Sequence, residues 1–168
     1  MSDMPSIRDA VRDDLPSIVA INSAAAPGVG LATLDELEDL RRRATVFWIA
    51  GQPNRVAAYL FGFADSADYD GEEFGWFRAR EAGFLHIDQV AVAPWARHAG
   101  LGRTLYAHAA RAAQARGLVR LTCGVNLRPP NPASLRFHAA RGFREVGRLE
   151  TRDGCLVSMQ EALLDGAP

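Results

Sequence analysis

Residues 85–117 read LHIDQVAVAPWARHAGLGRTLYAHAARAAQARG, and the fold turns on this stretch. Leu85, Ile87, Val90 and Val92 are the apolar positions of a strand. Their alternation holds from Leu85 to Ile87 and slips by one before Val90, the pattern of a β-bulge near Asp88 and Gln89. Pro94 cannot donate to a ladder and ends the pairing. A loop with glycines at 100 and 102 follows. Then comes a helix with Leu101, Leu105, Ala109 and Ala112 on one face. Gly117 stands where a left-handed cap is expected.

A strand, a glycine loop and a helix in this order favour an anion. The first N–H groups of a helix have no internal acceptor, and the helix dipole adds positive potential there. Glycines at 100 and 102 remove side chains that would hold a phosphate off those groups. Arg97 and Arg103 can add charge from the flanks. A P-loop is excluded, because no Lys-Ser/Thr pair follows the glycines. A dinucleotide fingerprint fits poorly, since a third glycine and an acidic residue about 20 positions on are both missing. A ligand-free connection between strand and helix stays open on these residues alone.

Downstream, Leu118 to Val125 reads as a strand with Val119, Leu121, Cys123 and Val125 on one face. Arg128-Pro-Pro130 predicts a stiff, extended connection. Asn131 is a good helix cap with Pro132 at the first helical position, and Gly142 closes that helix. Phe143–Leu149 and Cys155–Leu164 form two final strands around a turn at Arg152-Asp153-Gly154. The tail from Asp165 to Pro168 is expected to fray.

Upstream, Ser6–Val11 gives a short strand, and Asp13 or Asp14 caps a helix carrying Leu15, Ile18, Val19 and Asn22. Pro27-Gly28-Val-Gly30 is a loop. Thr33 with Glu36 is a capping box that opens a helix from Leu34 to about Arg43. Val46–Ala50 and Val56–Phe63 form a hairpin around Gly51-Gln-Pro53-Asn54. From Asp65 to Phe77 the chain is first acidic and then aromatic. This is either a solvated loop with anchoring aromatics or an acceptor pocket, in which carboxylates attract an ammonium that Trp76 and Phe77 line. The order β-α-α-β-β-β-α-β-α-β-β suits a mixed sheet with helices on both faces.

At 168 residues the chain is the size of one domain, 1–168, with a full core. A formal net charge of −1 gives no global field for nucleic acid. No apolar run reaches membrane-span length, and the start lacks a leader pattern, so a cytoplasmic protein is expected. Cys123 and Cys155 read as separate thiols, and two cysteines with scattered histidines predict no metal.

Two motifs narrow the function. Val-x-Val-x-Pro-x-x-Arg-x-x-Gly-x-Gly, from Val90 to Gly102, resembles the acyl-CoA-binding motif of the GNAT superfamily of N-acetyltransferases. Asn131-Pro-Ala-Ser134-Leu-Arg-Phe137-His138-Ala-Ala-Arg-Gly142-Phe143, about 30 residues on, resembles the second signature of that family. The likeness runs from about Ile7 to Leu164, and residues 125–134 are similar to a bacterial branch of predicted acetyltransferases.

The resemblance implies a GNAT-like α/β fold. Its mixed, mostly antiparallel sheet has strands splaying apart between 86–92 and 119–125 to admit the CoA thioester arm. It implies that Val90, Ala91 and Val92 bind the pantetheine arm through their backbone. It also implies that Arg97, His98, Ala99, Gly100, Leu101, Gly102 and Arg103 hold the pyrophosphate, with Asn131 and Ser134 contributing. The helices from Leu15 and Leu34 would border the acceptor side.

The chemistry needs a base, because an alkylamine with a pKa of about 10.4 is protonated at neutral pH. His86 and Asp88 are candidates, at positions where relatives carry a Glu or two His. His86 pairing only structurally is the alternative. An N–H near Val90 would hold the oxyanion. His138 occupies a position where many members carry a tyrosine that protonates the leaving thiolate. Histidine there would run with a raised pKa beside Asp88, give one hydrogen bond, or simply pack beside Phe137. The function expected is acetyl transfer from acetyl-CoA to a primary amine of a small molecule or protein by direct attack. The alternative is a non-catalytic acyl-CoA-binding or sensing module. Partners expected are acetyl-CoA and an amine, with no nucleic acid and no membrane, and a homodimer left open.

Overall fold

The computed structural model describes residues 5–52 and 54–166. The elements are β1 (Ile7–Asp9), α1 (Leu15–Ala25), α2 (Leu34–Arg43), β2 (Val46–Gln52), β3 (Arg55–Ala64), α3 (Glu72–Arg78), β4 (Phe84–Val92), α4 (Leu101–Ala115), β5 (Arg120–Arg128), α5 (Pro132–Ala139), β6 (Arg144–Glu150) and β7 (Leu156–Leu163). Short 3₁₀ turns occupy Arg12–Asp14 and Pro94–Ala96. The strands form a seven-stranded sheet in the order β1-β2-β3-β4-β5-β7-β6. β4 and β5 pair in parallel, and the pairs β1–β2, β2–β3, β5–β7 and β6–β7 are antiparallel. The mixed, mostly antiparallel sheet is therefore as expected. Pro53 of the hairpin turn, residues 1–4 and residues 167–168 lie outside the described residues.

The chain groups into two compact units. One reaches to Gly62 and adds Gln89–His108; the other comprises Phe63–Asp88 and the chain from Ala109 on. In the first, Leu15, Ile18, Leu37, Ile49, Leu60 and Leu105 are fully buried, each side chain contributing about 1.5–3 kcal/mol. The α2 capping box forms as read: Glu36 N donates to Thr33 Oγ1 at 3.2 Å and Thr33 N to Glu36 Oε2 at 2.7 Å. Asp14 stands at the N-cap position of α1, but its side chain makes no capping hydrogen bond there. Its carboxylate takes Arg8 at 2.7 and 2.8 Å and the Val11 N–H at 2.9 Å, closing the 3₁₀ turn instead. Asn22 is a fully buried hub. Its Nδ2 donates to Gly30 O, Tyr59 Oη and Gln89 Oε1, and its Oδ1 accepts from Ala32 N. The polar side chains thereby fasten the loop between α1 and α2 to β4.

In the second unit, Phe63, Phe74, Phe77, Phe84 and Leu85 are fully buried, with Leu121, Cys123 and Val125 nearly so. Both cysteines are free thiols. The β4–β5 ladder runs over three pairs, Phe84–Arg120, Leu85–Leu121 and His86–Thr122. β5 carries on to Arg128 paired with β7.

Four expectations change. The acidic-aromatic segment is not all loop: residues 72–78 form α3, because Gly71 precedes two first-turn glutamates and Phe74 and Phe77 bury at helical spacing. Residues 129–130 turn back, with Asn131 N donating to Asn126 O at 3.1 Å, so the two prolines do not extend the chain. On α4 the buried line is Leu101, Leu105, Ala109 and Ala113, with Ala112 half-buried. Along β4 burial does not follow the apolar slip: Ala91 is buried, while Val90 and Val92 are half-buried.

Candidate active site

The glycine loop belongs to the first unit. Residues 97–100 are exposed, and Arg103 is exposed on the first turn of α4. His98 and Gly100 both have left-handed backbones, with φ of 66° and 76°. Left-handed residues alternating along a loop turn successive N–H groups inward, which makes an anion cradle. A Cβ added at Gly100 would meet nothing within 4 Å, so the approach to the backbone there is open. The α4 ladder begins with Thr104 N donating to Gly100 O at 3.0 Å, leaving the N–H groups of 101–103 to the first turn. These features fit the diphosphate of an acyl-CoA. Val90, Ala91 and Val92 lead into this loop on β4.

Asn131 and Ser134 lie in the second unit. Asn131 Oδ1 accepts from Ser134 N at 3.3 Å, the predicted cap of α5. Their polar atoms thus first serve the helix start and His138. That ring is 4% exposed, and it stands edge-on to Phe137 and to Phe143, each at 5.2 Å between centroids. Its Nδ1 lies 2.7 Å from Ser134 O. A carbonyl only accepts, so Nδ1 carries the proton, and Nε2 of the neutral ring is an acceptor. Burial holds the pKa below the usual histidine value, outweighing the Ser134 hydrogen bond, and Arg141 lowers it further. Of the three readings open for this residue, the raised pKa is the one the structure speaks against, because desolvation disfavours the imidazolium.

The candidate bases sit in the second unit too. His86 is fully buried, with Nδ1 3.0 Å from Thr122 Oγ1. Burial pushes its pKa down to about 3, so it is neutral throughout the physiological range. Asp88 is half-buried and accepts the Tyr69 hydroxyl at 2.9 Å. Burial raises it to about 6, partly offset by that hydrogen bond.

The sequence reading missed Glu73. From α3 its Oε2 lies 3.8 Å from His86 Nε2, and it covers Gly124 of β5, where a Cβ would come within 2.5 Å of the carboxyl carbon. Burial, Asp88 and Glu72 together push Glu73 up to about 8. A glycine inside a strand is itself a sign that something approaches closely.

Two acceptor candidates are spent on the fold. Phe77 is fully buried, packing against Phe84 and His86, and cannot touch a substrate. Trp76 already carries the Arg80 guanidinium 4.0 Å over its ring, and its edge lies against Gly147. Among the described residues no three His, Cys, Asp or Glu side chains are grouped to hold a metal, and no helix is long and apolar enough to cross a membrane.

A family model described as the acetyltransferase (GNAT) family matches residues 15–143, and the chain belongs to that family. Phosphinothricin N-acetyltransferase from Streptomyces coelicolor is 38% identical over 89 residues, covering 52% of this chain. The match spans about half of that relative, 46% of its length. A phosphinothricin acetyltransferase from Sinorhizobium meliloti, solved with acetyl-CoA, superposes with a TM-score of 0.73 at 19% identity, covering 98% of this chain and 91% of its own. A ribosomal-protein-alanine N-acetyltransferase from Brucella melitensis reaches a TM-score of 0.69 at 27% identity, covering 95% and 99%.

Proposed function

We propose that the chain acts as one domain that transfers an acetyl group from acetyl-CoA to a primary amine. The observation that carries this reading is the open left-handed loop at His98–Gly100, which lies within the span that matches the family, residues 15–143. Amides of His98 to Arg103 hold the pyrophosphate, Arg97 and Arg103 add charge, and the backbone of Val90 to Val92 takes the pantetheine arm. The acceptor ammonium gives one proton to Asp88, whose raised pKa of about 6 makes it a better base than a surface carboxylate. His86 is too weak a base for that step.

The freed lone pair attacks the thioester carbon, the C–N bond forms, and the C–S bond breaks with its electron pair leaving on sulfur. The nitrogen's second proton goes to sulfur. His138 serves this transfer as a neutral relay: Nε2 takes that proton and hands it to the thiolate. The proton held by Asp88 returns to solvent. The named relatives act on phosphinothricin in one case and on a ribosomal-protein alanine in another, so both a small molecule and a protein are kept as acceptor classes. The chain's two free thiols favour a reducing, cytoplasmic setting, and a formal net charge of −1 gives no global field for nucleic acid. Calorimetric titration with acetyl-CoA, followed by thiol release with an amine panel, tests the reading. Binding without release for every amine would favour the acyl-CoA sensing module instead.

A further inference from the structure

Leu31 is the most exposed large apolar side chain among the described residues, at 73%, yet the chain on either side of it is fixed from the interior. The fully buried Asn22 carboxamide brackets it. Nδ2 donates to Gly30 O at 2.8 Å and Oδ1 accepts from Ala32 N at 2.9 Å, so one side chain holds both peptide groups that flank Leu31. A neighbouring strand would pair the backbone in this way, and an amide can stand in for it because it carries both a donor and an acceptor. Gln89 gives Gly30 O a second donor, with Nε2 at 3.0 Å. Gln89 Oε1 in turn accepts from Asn22 Nδ2 at 3.1 Å and from the buried Tyr59 hydroxyl at 2.9 Å. Loop backbone is ordinarily mobile and solvated, and a closed network of buried polar groups makes this one rigid. A lone exposed leucine needs no explanation. A leucine held outward by such a network does. Gln89 immediately precedes Val90, where the pantetheine arm lies in the proposed complex, so the network ties residues 30–32 to β4 one position from the thioester's path. Asn22, Leu31, Tyr59, Gln89 and Val90 all belong to the first unit.

We infer that Leu31 is a specificity-determining residue, the wall against which the acceptor's carbon chain packs, and that the preferred acceptor carries its amine on an apolar chain. This rests on the acetyltransferase reading. Asn22 and Gln89 are positioning residues, which act on the acceptor through Leu31. An exposed leucine gains only when an apolar group covers it. One wall, with water on the far side of the chain, is worth about twofold per methylene, roughly half of what full burial gives. Because residues 30–32 are already ordered, the contact forms without the entropy cost of fixing a mobile loop, and that saving is what the buried network supplies.

The test is kcat/KM for thiol release from acetyl-CoA with ethylamine and with n-butylamine, two acceptors of nearly equal basicity that differ by two methylenes. Their ratio cancels any loss common to both. The parent should favour n-butylamine about fourfold or more. Leu31→Ser should bring the ratio below about twofold, and Leu31→Met, which keeps the apolar reach, should retain it. Asn22→Ala keeps Leu31 but frees its two peptide groups, and its ratio should also fall below about twofold. A role confined to holding the fold would lower the melting temperature and leave the ratio alone. Leu31 is exposed, so Leu31→Ser keeps the fold and decides the matter even where Asn22→Ala is too unstable to assay. A parent that treats the two amines equally, or Leu31→Ser with the parental ratio, would overturn the inference. A folded Asn22→Ala with the parental ratio would overturn the positioning role of the network. No thiol release, with the same preference and the same loss in Leu31→Ser seen by calorimetric titration of the two amines into protein loaded with coenzyme A, would overturn the acetyltransferase reading and leave the Leu31 wall standing.

Discussion

The glycine loop at 97–103 and the carboxyl cluster around Asp88 are built in opposite ways. The loop works through backbone. Residues 97–100 and Arg103 are exposed, two of these residues are left-handed, and in the proposed site the loop's N–H groups meet the diphosphate. The cluster works through side chains delivered by three elements: Glu73 from α3, His86 and Asp88 from β4, and Thr122 from β5, whose Gly124 leaves room for the Glu73 carboxyl. The loop needs open space, the cluster close packing. Substitutions should therefore separate cofactor binding from amine handling.

The largest expected effect falls on the loop. Gly102→Val, with a β-branched side chain over the first-turn amides, should weaken acetyl-CoA binding more than 100-fold by calorimetry while the circular dichroism stays that of the parent. Unchanged affinity in a folded variant would remove the loop from the site.

His138 comes next. His138→Phe keeps the edge-on ring packing and removes Nε2, so turnover should fall about tenfold with acetyl-CoA affinity intact. His138→Tyr should recover part of that turnover, since a phenol can both take and give a proton. Parental turnover in His138→Phe would reduce this residue to packing.

The smallest effect is on stability. Glu73 has a folded pKa of about 8 against 4.5 for the free side chain. Its contribution is complete below pH 4.5 and is lost as pH rises through 8, because the unfolded carboxyl ionises first. Asp88 acts in the same direction between 3.8 and about 6. His86 acts oppositely, losing stability as pH falls from 6.5 toward 3. Of these three groups only Glu73 still titrates above pH 7. With Glu73 partly exposed, the parent should lose about 1–2 kcal/mol relative to Glu73→Gln between pH 5 and 9. Urea midpoints of both proteins at the two pH values measure it, and parallel curves would show that Glu73 titrates normally.

The same contrast explains what the sequence made legible. The loop, the Thr33–Glu36 box and the Asn131 cap are local signals. Each is complete within a few residues, and all three stand where the pattern put them. Glu73 was hidden because its meaning depends on Asp88 and Gly124, 15 and 51 positions away, which only the packing of α3 on β5 brings to it. The helix itself was in view: Gly71, two first-turn acids, and Phe74 with Phe77 at i, i+3. Trp76 misled because its π face suited an ammonium, yet Arg80, four residues on along the chain, takes it. His138 was placed correctly on one face with Ser134, but its protonation could be read only once the Ser134 carbonyl was seen at Nδ1.

The most direct test of the account is the pH profile of thiol release from acetyl-CoA with n-butylamine as acceptor. Release should require both substrates, and kcat/KM should rise from pH 6 and level off near pH 8 to 9 as Asp88 and then Glu73 lose their protons. In the Glu73→Gln, Asp88→Asn double variant it should fall at least 100-fold, with acetyl-CoA affinity unchanged. Release that is independent of amine, or a double variant that keeps the parental rate and profile, would contradict it.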